Sequence, residues 1–450
     1  MAAHDDIPND VPDDDSPVEG NHFTDGQVRR GLRVSFLATA LGSVYYQLLQ
    51  PASWLVVMLL TFLGASKVSI GILAATMPLA RFCEVLAAWS MQRTGRRREL
   101  FTWAHIVSRL LWIPLVLTCL LSVDHAAWRT PLLFVILLVS GLLTWLGSNA
   151  WLSWMGDLIP PNIRGRYFGT RQVFETGTRI LATFAVAKYL AYVGEPGAAH
   201  YITIVCALVT FGVLDILVFR FWVPHPVLRP TRERMPLTTL LRFVSTPLRD
   251  RRYRRFVVFI ATWMFASGLM GPYIWVFVNG RDYLGLSAMF NFEVQLVSGF
   301  FYMLASFVWG HMGDRWPVRR LLALCVLISV TPPFDYLFAT REATWPIYLA
   351  WTMGTVAWAG IFVYSFQYGI SLAPARERSM VLAFQSAVLG LVGALAYLAA
   401  AGLVKLLEGM EPVRVWGYAW TDLQLIFCLA GVGRLLSLIP LSRMEAAPRE

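Results

Sequence analysis

Gly310-His311-Met312-Gly313-Asp314-Arg315-Trp316-Pro317-Val318-Arg319-Arg320 is a short polar stretch set between two apolar runs, 290–312 and 319–339. Each run is close to the roughly 20 residues a helix needs to cross a bilayer. A connection this short and this rich in arginine is what the positive side of a membrane carries. Outward from it, the same alternation recurs along the chain. Apolar runs occupy 34–61, 68–91, 99–122, 131–155, 168–193, 201–222, 256–279, 290–312, 319–339, 346–371, 379–404 and 419–441. Pro51 falls inside the first run, and Pro332 and Pro333 inside the ninth. Neighbouring helices can satisfy the carbonyls that proline frees, so each is read as a single span.

The composition agrees. Of 450 residues, 57% are hydrophobic and 15% charged, where a soluble chain would carry about 25% charged. Mean hydropathy is +0.56. Lipid cannot satisfy free backbone groups, so regular helices are expected. The alternating segments of roughly ten residues that mark a membrane barrel are absent from the sequence. The reading is an all-α membrane protein with twelve transmembrane helices in two pseudo-symmetric six-helix bundles.

The net charge is +10, but eight acids and no Lys or Arg fall in the first 28 residues, which leaves the remainder at 38 − 20 = +18. That excess sits in alternate loops: Arg93 to Arg98, Arg164 and Arg166, Arg229 to Arg255, Arg315 to Arg320, Arg376 and Arg378. The opposite loops carry only Lys67, Arg129, Arg281, Arg341 and Arg414. The distribution is that of membrane orientation rather than nucleic-acid binding, and it puts both termini in the cytoplasm. The plasma (inner) membrane is the expected location. The N-terminus is acidic and lacks an early apolar core, so no cleavable signal peptide is read there. The five cysteines lie inside apolar runs with no C-x-x-C spacing, as small buried hydrophobes do. No metal site, cofactor or catalytic motif is expected.

The expected organisation is an acidic disordered tail at 1–30, a six-helix bundle at 31–222, a basic linker at 223–255 with a short amphipathic helix at 236–248, a second bundle at 256–441, and a tail at 442–450. Repeated loops support the division. Gln92-Arg93-Thr94-Gly95-Arg96-Arg97 after the second span matches the stretch ending at Arg320 after the eighth. Pro160 to Arg166 after the fourth matches Pro374 to Arg378 after the tenth.

The stretch from Gly310 to Arg320, with Asp314, Arg315, Arg319 and Arg320, resembles the motif that major facilitator superfamily transporters carry between their eighth and ninth helices. Arg93, Gly95, Arg96 and Arg97 resemble its first-half copy, with Gln92 in place of the acid and Ala88 in place of the first glycine. The resemblance implies a gating latch in which an acid at one helix end caps a neighbour and pairs with arginine. Residues 168–193 lack the Gly-Pro segment usual in drug/proton antiporters of the superfamily.

Ionisable groups inside the membrane are costly and face a cavity or a partner. Arg81 and Glu84 lie three apart, Glu175 and Arg179 four apart, and His105 and Arg109 four apart, each pair on one helix face. Asp215 lies in the sixth span. Two readings stand: a charged network in which Glu84 or Glu175 takes a coupling proton and Arg81 or Arg179 holds an anionic group, or self-neutralising pairs that knit the bundle together. The resemblance implies a cavity lined by spans one, four, seven and ten, which offer Gln47, Gln50, Asn149, Trp275 and Gln367 among their amides and aromatics. The function expected is secondary active transport of a small organic solute by alternating access. Protons are the candidate coupling ion, the lipid bilayer is the surroundings, and a monomer is expected. The alternative is a non-transporting membrane sensor or assembly protein on the same fold. An enzyme is not expected, since no clustered Asp/His or His/Glu constellation appears.

Overall fold

A computed structural model describes residues 23–84, 90, 95–121, 126–160, 163–225, 250–313, 315–372, 378–415 and 417–445. Most of the expected acidic tail, the amphipathic segment at 236–248, Arg93, Asp314 and residues 446–450 lie outside the described residues.

The described residues are helical almost throughout. The first half holds α1 (Asp25–Leu48), α2 (Trp54–Phe62), α3 (Lys67–Ala74), α4 (Thr76–Ala80), α5 (Arg97–Leu110), α6 (Trp112–Leu117), α7 (Ala126–Leu158), α8 (Arg164–Val193) and α9 (Ala198–Trp222). The second holds α10 (Arg251–Met270), α11 (Ile274–Asn279), α12 (Ala288–Gly313), α13 (Val318–Asp335), α14 (Trp345–Leu372), α15 (Arg378–Leu406), α16 (Asp422–Leu436) and α17 (Leu438–Ser442). An antiparallel hairpin, β1 (Val413–Val415) with β2 (Tyr418–Trp420), joins α15 to α16. That hairpin is not anticipated by the hydropathy pattern.

Among the described residues, nine helices are long and apolar enough to cross a membrane. The other three expected spans are those at 34–61, 68–91 and 168–193. The first is not one helix. It breaks between Leu48 and Trp54, because Pro51 has no N–H to continue the ladder. Ser53 rebuilds the end: its Oγ donates to the Leu48 carbonyl at 2.6 Å and accepts from the Val56 N–H. The ninth does run through its two prolines, since α13 contains both Pro332 and Pro333. At the N-terminus, α1 starts ahead of residue 31, because Thr24 and Gln27 form a reciprocal capping box at its first turn. The α8 helix is long but carries several charges, and Val173, Leu181 and Tyr192 are exposed along it.

The packing is uneven from end to end. At the end remote from the termini, one apolar core runs across both halves. It takes in Leu48, Trp54 and Leu59 from the first half and Tyr273, Phe277, Ala400 and Phe427 from the second. At the end near the termini the core divides. Phe101, Trp154 and Phe219 form one cluster within the first half, and Phe256, Trp309 and Tyr364 another within the second. Across the halves α8 packs on α12, and α3 and α4 pack on α15. Gly390 lets α15 approach closely, because a Cβ there would meet the Pro78 carbonyl oxygen at 2.7 Å.

Replacing Ser53 by alanine removes the cap at the break, and about 1 kcal/mol of stability should go with it. Thermal unfolding of the purified protein in detergent measures this, with Ser53→Thr expected to stay close to wild type.

Candidate functional site

Three adjoining cavities lie between and within the halves. One of about 340 Å³ sits in the first half, lined by Thr39, Tyr46, His105, Arg109, Glu175 and Asp215 among others. A second, of about 600 Å³, lies between the halves and is lined by Gln47, Glu175 and Arg179 on one side and Trp263, Gln295, Trp351, Trp358 and Arg434 on the other. A third, of about 410 Å³, is lined by Gln50, Arg81, Trp145, Trp358 and Arg434. Shared residues join them: Glu175 borders the first two, and Trp358 and Arg434 the last two. The lining is wider than spans one, four, seven and ten, because α8, α12, α13 and α16 contribute as well.

The charges that line the first cavity are paired. Arg109, 1% exposed, donates to Asp215 Oδ2 at 2.9 Å and to the Tyr46 hydroxyl at 3.3 Å. Its guanidinium stacks over the rings of Tyr45 and Tyr46 at 5.1 and 5.3 Å. Space for this cluster comes from glycine. A Cβ at Gly42 would strike the Asp215 carboxylate, and one at Gly212 would sit 2.9 Å from the Tyr45 ring. His105 reaches the Tyr46 hydroxyl at 3.4 Å. Helical spacing groups His105 with Arg109, but the arginine's partner is Asp215, from a different helix.

A second expected pair is corrected. Glu175 bonds Arg171 at 3.3 Å and not Arg179. Both arginines are four residues from Glu175, one on each side, so spacing alone does not choose between them. Arg171 is held in place by Thr39 Oγ1 at 3.1 Å and by stacking on Trp151 at 4.6 Å. Arg179 is left half-buried on the wall of the largest cavity.

Arg81 and Glu84 do pair, at 3.2 Å. Both also bond Ser386 of α15, at 2.7 Å each, and Arg81 stacks over Trp145 at 4.9 Å. This small network bridges the halves. Asn149 supports it from α7, donating to the Glu84 carbonyl oxygen at 3.4 Å, but it lines none of the cavities described. A second bridge joins Gln47 to Gln295 at 2.7 Å. A third lies at the end remote from the termini: Lys67 donates to the Tyr283 hydroxyl at 2.9 Å and pairs with Asp422, and Tyr283 donates to Asp422 at 2.7 Å. Burial and the adjacent Asp422 carboxylate hold the Tyr283 hydroxyl protonated, far above its ordinary range.

Two expected site residues do not reach the cavity. Trp275 is buried and stacks on Trp351 at 4.9 Å, so it backs the cavity wall instead of forming it. Gln367 is exposed on α14 and lines none of the cavities. Arg434 was not legible as a site residue beforehand, although a lone arginine inside an apolar run is the same signal that marks Arg81 and Arg109. It is 8% exposed and donates to the Ser329 carbonyl oxygen at 2.7 Å.

The basic loops are built differently in the two halves. Gly95 has φ of +64°, which turns the chain into α5. Arg97 is fully buried and bonds Asp157 and the Ser153 carbonyl oxygen of α7. Burial, with Arg97 and Arg98 nearby, pulls the pKa of His225 down to about 4. Arg96 is exposed. In the second half Arg319 donates to the Met444 carbonyl oxygen at 2.8 Å, while Arg315 and Arg320 are exposed and Gly310 has open space where a side chain would be.

Asp215→Asn would strand the buried Arg109 guanidinium, and roughly 3–5 kcal/mol of stability should be lost. Removing both charges, with Arg109→Gln and Asp215→Asn together, should cost much less than the sum of the singles. A double-mutant cycle on unfolding in detergent gives the coupling.

The Major Facilitator Superfamily sequence profile matches residues 35–397. No curated protein matches the sequence significantly. Among solved structures the fold is similar to that of a mutant form of the nucleoside transporter NupG, with TM-score 0.69, 13% identity, and coverage of 93% of this chain and 99% of that one. It is also similar to the partially occluded inward open form of the xylose transporter XylE from E. coli, at TM-score 0.64, 13% identity, and 94% and 99% coverage. A POT family transporter in complex with a thioalcohol conjugated peptide gives TM-score 0.63, 16% identity, and 92% and 96% coverage. With the profile spanning most of its length over a bundle of membrane helices, this chain belongs to the Major Facilitator Superfamily of membrane transporters, as a multi-pass integral membrane protein.

Proposed function

We propose that this protein is a secondary active transporter that moves a small organic solute across the membrane by alternating access. One observation carries the reading. The apolar core is continuous across the halves at one end and split in two at the other, with polar cavities at the junction. Two rigid halves hinged about a central site can exchange which end is closed. The bridges at Lys67, Gln47 and Arg81 and the apolar core that joins the halves at one end are the contacts that opening that end would break.

In this reading there are twelve spans, six in 31–222 and six in 256–441, with 223–255 as a cytoplasmic linker. Both termini face the cytoplasm of a plasma (inner) membrane protein that acts as a monomer. The closed end then faces outward and the divided end faces inward. Gln47, Gln50, Arg81, Arg109, Glu175, Arg179 and Gln295 face the path. Protons are the candidate coupling ion, with Glu175 as the acceptor best placed, since its carboxylate borders two cavities and is only half-buried. Asp314 and the arginines around it form the gate on the inner face.

Solute flux in proteoliposomes, with and without an imposed proton gradient, tests the whole. Solute binding with no flux in either condition would favour a sensor on the same fold. Two variants refine it. Asp314→Asn should cut flux severalfold while membrane insertion stays normal. Glu175→Gln should flatten the pH dependence of flux; an unchanged pH profile would remove the proton role.

A further inference from the structure

Five arginines border the three cavities: Arg81, Arg109, Arg171, Arg179 and Arg434. Three have a carboxylate within ion-pairing distance, namely Arg81 with Glu84, Arg109 with Asp215, and Arg171 with Glu175. Each of those carboxylates is thereby used. Among the described residues no acid pairs with Arg179 or with Arg434. Both of these arginines border the same cavity, the one of about 600 Å³ between the halves.

Their depths match. Arg179 is 14 residues from the end of α8 at Val193 and Arg434 is 12 from the start of α16 at Asp422. At 1.5 Å per residue both lie about 20 Å in from the same end of the bundle. They come from opposite halves and border one cavity, so an occupant of that cavity can meet both. Arg434 is held by its neighbours and not neutralised by them: a carbonyl oxygen from Ser329 and the Met270 sulfur at 3.2 Å take two of its nitrogens, and its Nε is buried with no partner. A guanidinium kept charged at mid-depth without a counter-ion is expensive. The cost is removed if the cavity's occupant brings the negative charge. Three tryptophans, Trp263, Trp351 and Trp358, stand in the wall among amides and hydroxyls such as Gln47, Gln295 and Thr355, and their faces suit a flat ring system.

We infer that the solute is an organic anion with a planar apolar body, whose carboxylate or phosphate group sits between Arg179 and Arg434. This deepens the transporter reading and rests on it for the word solute, but the binding site can be tested apart from flux.

The full-length protein is placed in phosphatidylcholine nanodiscs and titrated calorimetrically with 2-naphthoate, naphthalene-2,6-dicarboxylate and phenyl phosphate, each against neutral 2-naphthamide. At least one anion should bind tenfold or more tighter than the amide. That preference should collapse in Arg179→Gln, whose side chain has no ion-pair partner among the described residues, and in Arg434→Gln, and should survive in part in Arg434→Lys. Equal binding of the amide, no binding by any of the three anions, or a preference that survives both Gln variants would overturn the inference. Nanodiscs containing phosphatidylglycerol separate the solute from a lipid headgroup: unchanged affinity assigns the site to the solute, and competitive loss assigns it to lipid and overturns the inference. Counterflow of the bound anion is measured separately. Binding without flux leaves the anion site and removes the transporter reading; flux of a neutral sugar or nucleoside without anion binding does the reverse.

Discussion

A charge near the middle of a bilayer has no water to turn to, and most of what is specific about this protein follows from how that cost is met. Taking an ion out of water costs several kcal/mol even after relaxation, and a partner repays it only when the geometry is good. Arg109 has that geometry. A carboxylate, a hydroxyl and two aromatic faces surround it, and glycines at positions 42 and 212 open the space that lets them close in. Arg97 is met in the same way near the C-terminal end of α7, by Asp157 and a backbone carbonyl. Such pairs fix which helices of the first half are neighbours, so the half behaves as one body.

The same rule acts differently between the halves. There the polar contacts are small and separable: a pair of amides, a serine shared between Arg81 and Glu84, and a lysine with its aspartate and tyrosine. The apolar core supplies cohesion only at one end. The cavities of about 600 and 410 Å³ are lined from both halves along this interface. At Gly390 the α15 backbone comes close to the Pro78 carbonyl and the base of the Arg81 side chain, an approach that a larger residue would block.

Much of the fold was legible in the chain because the bilayer imposes a length and a polarity on every span, and both can be read one run at a time. The ends of α12, α13 and α14 fall close to where hydropathy puts them. The failures have local causes. Pro51 looked tolerable within one span, yet a serine two residues later supplies a new N-terminus and the helix restarts. Glu175 has an arginine four residues away in each direction, and the one that pairs is chosen by Thr39 and Trp151, which belong to other helices. Trp275 and Gln367 were reasonable site residues by span number, but the rotation of a helix about its axis is set by its neighbours, and they turn one inward to Trp351 and the other away.

The sequence by itself determined that the chain crosses a membrane several times and that charges lie within its apolar runs, since both are properties of consecutive residues. Only the tertiary structure decided which charges neutralise one another. Asp215 meets Arg109 and leaves His105 with a tyrosine; Arg171 takes Glu175 and leaves Arg179 on the wall of the cavity that Arg434 also borders. Ion pairing falls off within a few ångströms, and residues far apart along the chain come that close only when the helices are assembled. The charges left unpaired, which define the cavity, are therefore a property of the packed bundle and of no single segment.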